Sequence, residues 1–154
     1  MRFKYAGGIG VPADCKIVYD QSRKLLKSDS ATETGNGDLF FVCTPDLKLK
    51  LHFRITDGVF VGLSCDCLDV GSIPRRHIQI PYAPDGEVRV DCALKGIIAG
   101  CTYFGFTAGA SYDEDNNVVL FGAISDNDAV YRVLHNTYFA VSCDESLSGV
   151  SVKL

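Results

Sequence analysis

Cys65-Asp66-Cys67 is the first stretch whose residue types suggest chemistry, because two thiols one residue apart can share a soft metal. A closed zinc site needs four ligands in tetrahedral array, and no second close pair of cysteines follows. In an extended strand both thiols also point to one face, so the pair reads as core rather than as a centre. The seven cysteines, at 15, 43, 65, 67, 92, 101 and 143, leave at least one unbridged within a single chain. Several stand in apolar contexts, and a reduced, interior set is expected. No cofactor or metal is expected.

The three histidines give no compact catalytic motif. Strand alternation puts His52 and Cys65 on opposite faces, which opposes proton transfer between them. His77 follows Arg75-Arg76 and reads as part of a solvated basic loop, and His135 has no carboxylate near in sequence.

Charge is more organised. Lys48, Lys50, His52 and Arg54 share one strand face, with Arg75 and Arg76 as an extension, and they form a candidate interaction surface. Opposed to them is an acidic set, Asp113, Glu114, Asp115, Asp126 and Asp128, with no Lys or Arg from Ser111 through Ala129. The run from Asp113 to Asn117 resembles a calcium loop in oxygen density. Val118 stands where the sharp turn needs Gly, and Ile124 replaces the closing bidentate carboxylate, so a polar hairpin turn is the expectation. With a formal charge of -4, the chain has no global attraction for polyanions, which disfavours nucleic acid as a partner.

Three hairpin signals would position these residues. Leu47, Leu49, Leu51, Phe53 and Ile55 alternate with polar residues, the period of a half-buried strand. Thr56-Asp57-Gly58 is expected to reverse the chain with Gly58 left-handed, setting Phe53 against Val61, Leu51 against Leu63, Leu49 against Cys65 and Leu47 against Cys67. Upstream, a tight turn at Thr44-Pro45-Asp46 would pair Cys43 with Leu47 and Leu39 with Leu51, leaving Phe40 and Val42 on the second face. A second hairpin is expected at Ala83-Pro84-Asp85-Gly86-Glu87, with Ile80 opposite Val90 and Ile78 opposite Cys92. A third turns at 113–117, with Val118, Leu120, Gly122 and Ile124 opposite Tyr112, Ala110, Ala108 and Phe106.

Elsewhere two readings compete. Residues 13–27 and 127–136 fit either a short helix or a strand, the latter stretch carrying a weak capping box in Ser125 and Asp128. Val150, Val152 and Leu154 suggest a terminal strand. The uncharged run 96–112 contains four glycines and reads as buried core rather than a membrane span, and no secretion signal is evident, which favours a cytoplasmic protein or a component of an assembled particle.

The expectation is one β-rich domain over 1–154, an antiparallel sandwich or distorted barrel with one or two short helices. The functional expectation is a non-enzymatic structural or interaction subunit that self-associates into a homomeric assembly. The alternative is a small-ligand or carbohydrate-binding β-domain using Tyr82, Tyr103, Tyr112 or Tyr138 in a groove. A cysteine-dependent or hydrolytic enzyme is the least favoured.

Overall fold

A computed structural model describes residues 3–7, 15–28, 39–43, 49–55, 57–90, 101–103 and 109–154. It consists of strands: β1 Phe3–Gly7, β2 Ile17–Asp20, β3 Leu25–Ser28, β4 Leu39–Cys43, β5 Leu49–Arg54, β6 Phe60–Cys65, β7 Gly86–Val90, β8 Cys101–Tyr103, β9 Ala110–Asp113, β10 Val118–Gly122, β11 Ala129–Leu134, β12 Thr137–Val141 and β13 Leu147–Lys153. Among the described residues there is no helix, so both ambiguous stretches resolve as strands. A six-stranded sheet runs β2-β3-β6-β5-β4-β8, a five-stranded sheet β11-β12-β13-β10-β9, and β1 with β7 forms a two-stranded ribbon. Among the described residues no sheet closes into a barrel, and every strand pairing is antiparallel except β4 with β8.

The two large sheets share one core. Leu51, Phe53 and Leu63 from the six-stranded sheet pack in the same cluster as Val119, Phe121, Phe139 and Val150 from the five-stranded one. Phe60 reaches Phe139 across the layers with ring centroids 4.5 Å apart. This is the sandwich arrangement that one-sided apolar strands require.

The β5–β6 hairpin forms as the alternation predicts, with Leu49 opposite Cys65 and Leu51 opposite Leu63. Gly58 adopts φ 70°, the left-handed turn conformation, and its N–H donates to the Arg54 carbonyl at 2.8 Å. One correction falls at the register shift between His52 and Phe53, which sets Phe53 against Phe60 rather than Val61. The bulge buries both phenylalanines, where a regular ladder would direct only one inward.

The β4–β5 register corrects the tight-turn expectation. Leu39 pairs with Arg54, Val42 with Leu51 and Cys43 with Lys50, three residues from the expected alignment. An odd shift exchanges faces. Val42 is consequently buried against the core, and Phe41 meets His52 edge-on at 4.9 Å on the second face. Leu47 and Lys48 lie outside the described residues.

The hairpin expected at Pro84 does not form. β7 pairs instead with β1, Tyr5 opposite Val88 and Gly7 opposite Gly86. Pro81 and Pro84 have no N–H to give a ladder, and the Tyr5 ring crosses Gly86 so closely that a Cβ there would lie 1.9 Å from it. Residues 72–85 form a strap over the outer face of the five-stranded sheet, where Ile78 packs with Val118 and Leu120 in a second apolar cluster. Cys92, its expected partner, lies outside the described residues.

The third hairpin is present one residue out of the expected register, Val118 against Asp113 and Val119 against Tyr112. A four-residue loop closes through left-handed Asn117, φ 55°, and faces Val119 and Phe121 to the main core. Ala108 and Phe106 lie outside the described residues. The terminal strand forms as β13, between β12 and β10.

Candidate functional site

A groove of about 1080 Å³ opens on the protein surface. It is bounded by β2, the loop 69–71, Arg75, the turns β9–β10 and β11–β12, and the end of β13. Five Lys or Arg side chains line it, Lys16, Lys24, Arg75, Arg132 and Lys153, against two carboxylates, Asp69 and Glu114. Tyr19, Tyr112 and Tyr138 supply aromatic surface.

Its walls are tied by specific bonds. Asn136, at the β11–β12 turn, accepts from Ile17 N–H at 2.8 Å through Oδ1 and donates Nδ2 to the carbonyls of Ile17 at 2.8 Å and Lys153 at 2.6 Å. One side chain thereby joins the edge of the six-stranded sheet to the five-stranded sheet. Tyr19 donates its hydroxyl to the Leu68 carbonyl, and Tyr112 to Asn117 Oδ1. Arg75 lies over the Tyr112 ring, 4.8 Å from its centroid, and pairs with Glu114 at 3.4 Å.

Three of the groove cations are occupied. Lys24 pairs with Asp69, which raises the lysine's pKa and lowers the carboxylate's, and Arg132 holds Asp85 through a 2.6 Å bond with the same effect on each partner. Lys16 and Lys153 make no ion pair among the described residues, and both are exposed. They are the cations left to meet something from outside.

Among the residues singled out from sequence, Arg75, Tyr112, Glu114, His135 and Tyr138 line this groove. Lys50, His52 and Arg54 do not. Lys50 pairs with Asp66 at 3.2 Å, Arg54 grips Asp57 with bonds of 3.0 and 2.7 Å, and His52 is buried. Arg76 is exposed on the strap, and Lys48 lies outside the described residues. Tyr82 is 93% exposed, and Tyr103 lies in β8. Lys16, Lys24, Asn136 and Lys153 were not singled out, because each comes from a different segment and none has a partner close in sequence.

The acidic set separates in the same way. Asp113 is buried and accepts from Ile78 N–H at 2.7 Å, Asn116 N–H at 3.0 Å and Asn116 Nδ2 at 2.9 Å, with His77 Nδ1 at 3.1 Å. Those donors hold its pKa at about 2, first the Ile78 N–H and then Asn116. Its role is to pin the strap and cap the turn. Asp128 accepts from Ser125 N–H and Ser148 Oγ, so the suspected capping box exists in a turn rather than at a helix start. Asp115 and Asp126 are exposed, and no group of three or more metal-ligating side chains occurs among the described residues.

Because its folded pKa is depressed, Asp113 contributes stability above its unfolded pKa of 3.8, and that contribution disappears as pH falls toward 2. Asp144, also at about 2 from its bonds to Ser142 and Ser146, shares the window. The urea midpoint should therefore drop steeply between about pH 4 and pH 2. Asp113→Asn should lower the midpoint at neutral pH and flatten that drop; an equally steep drop in the variant would contradict the assignment.

Cys65 is buried with its pKa pushed up to about 12, chiefly by desolvation, so its thiolate is scarcely populated. Cys67, expected beside it in the core, instead leaves the strand at φ 62° and is exposed, because the chain turns at Asp66. Of the other described cysteines, Cys15 and Cys43 are buried and Cys143 is exposed. His52 Nε2 lies 3.1 Å from Ser64 Oγ, a serine and base within reach. His52 lies in β5 beside the register shift, and Ser64 lies in β6.

Fold and groove together define a two-sheet antiparallel β-domain with a cationic cleft at the sheet edge. No protein-family profile matches the chain, and no curated protein resembles it significantly. Among the described residues no helix is long and apolar enough to cross a membrane.

Proposed function

We propose that this protein is a non-enzymatic interaction domain that recognises an anionic partner through the groove at β2. One observation carries the reading: of five cationic side chains in the groove, three are matched by Asp69, Asp85 and Glu114, and two, Lys16 and Lys153, are left over on a chain whose formal charge is -4. Charge concentrated against the protein's own net sign attracts a partner to that place rather than to the surface generally. Lys16 and Lys153 supply attraction, and Tyr19 and Tyr138 supply contact area.

The test is titration of a fluorescent acidic peptide into the wild-type protein and the Lys16→Glu/Lys153→Glu double variant at low salt. Both lysines are exposed, so the variant is expected to fold. A loss of at least tenfold in affinity is expected, with wild-type binding weakening as salt rises. Equal binding by both proteins would remove the groove from recognition.

Self-association into a homomeric assembly is a second reading, favoured by the exposed acidic side chains Asp115 and Asp126, which lie outside the groove lining and complement the groove of another copy. Such a contact is head-to-tail, joining two different surfaces, and builds rings or filaments. Charge would drive it, since Val18, Ile55 and Tyr82 are the large hydrophobics exposed among the described residues. Mass should rise with protein concentration and fall at high salt; a monomer under all conditions would exclude it.

A further inference from the structure

We propose that the groove's partner is an extended acidic peptide segment that adds to the free edge of β2 at Tyr19. The inference rests on the anionic-partner reading and specifies what the anion is attached to.

Among the described residues β2 is an edge strand of the six-stranded sheet, with β3 on one side only. Ile17 directs both its N–H and its carbonyl away from β3, where the Asn136 amide receives them. Backbone polar groups alternate along a paired strand, so Tyr19, two residues on, directs its N–H and carbonyl to the same side. The next strand agrees independently. Lys24 offers its carbonyl to Leu68 on the β6 side, which sets Leu26 toward β6 and its partner Tyr19 away from β3. Tyr19's outward N–H and carbonyl meet no hydrogen-bond partner among the described residues.

The groove thus contains a strand edge on which one residue is already paired by a side-chain amide, the functional group of a peptide. The next pairing position, about 7 Å along, stands open. A second peptide amide would fit it as Asn136 fits Ile17. Charge complementarity selects an acidic segment: Lys16 precedes the edge, and Lys153 is tied to the same Asn136 amide through its carbonyl.

The test uses a labelled ten-residue peptide of alternating Glu and Val, the same peptide N-methylated at every residue so that neither edge can donate, and a sulfated disaccharide, each titrated into the full chain at low salt. The unmodified peptide should bind at least tenfold more tightly than the methylated one and slow hydrogen exchange of the Tyr19 amide by at least tenfold. Equal binding of both peptides, or an unaltered Tyr19 amide with peptide bound, would overturn strand addition while leaving a cationic groove. Binding of none of the three would overturn the groove reading as well.

Discussion

Replacing Phe53 by Ala should destabilise the fold by about 3–5 kcal/mol, the range for removing a fully buried aromatic ring. Phe53 is 0% exposed and joins Phe3, at 6.1 Å between centroids, to Phe60, at 5.6 Å. Phe60 in turn meets Phe139 of the opposite sheet, so the cavity would open on the line of contact between the two layers. Leu51, Val42 and Leu63 are themselves fully buried in regular pairs and have little freedom to collapse into the space. Urea unfolding reads the effect as a lowered midpoint with an unchanged slope. A loss below about 1 kcal/mol would show that the aromatic chain is not the centre of the core.

Asn136→Ala should cost about 2–4 kcal/mol, since it removes three hydrogen bonds worth about 1 kcal/mol each and strands partly buried backbone groups. Ile17 would lose the partner of both its N–H and its carbonyl, and Lys153 would lose the donor to its carbonyl. Asn136→Asp separates packing from polarity. The carboxylate still accepts from Ile17 N–H, but it offers oxygens to two carbonyls where the amide donated. At neutral pH the Asp variant should be no more stable than the Ala variant, and it should recover as acid protonates the carboxyl. Thermal unfolding at pH 7 and pH 4 distinguishes them. If both variants match the wild type, the clamp does not hold the sheets together at this edge.

Local pattern carried far into this fold, and it failed where pairing is remote. The alternation from Leu49 to Phe53 identifies β5, and Asp57-Gly58 identifies its turn, because strand period and turn chemistry are both local. The bulge before Phe53 left no local mark; two phenylalanines separated by a turn gave no sign that both go inward. Thr44-Pro45-Asp46 looked sufficient for a tight reversal, and only the pairing of Val42 with Leu51 reveals the odd displacement. β7 found its partner in β1, some eighty residues upstream, where a neighbouring proline-containing segment had seemed the nearer choice. The groove was the least legible part. Tyr112, Tyr138 and Arg75 stand out by residue type alone, whereas Lys16, Asn136 and Lys153 acquire meaning only when β2 and the end of β13 are brought together by one amide.

The strap over the five-stranded sheet has a consequence for how copies of this protein can meet. Near one end it exchanges bonds with Tyr112 of β9 through Pro74 and Arg76, and at the other Pro84 accepts from Arg132 of β11. A single crossing therefore occupies both selvedges of that sheet at those points, where raw backbone would otherwise offer a template for amyloid-like stacking. Lateral fusion through this layer would first require the strap to be peeled away.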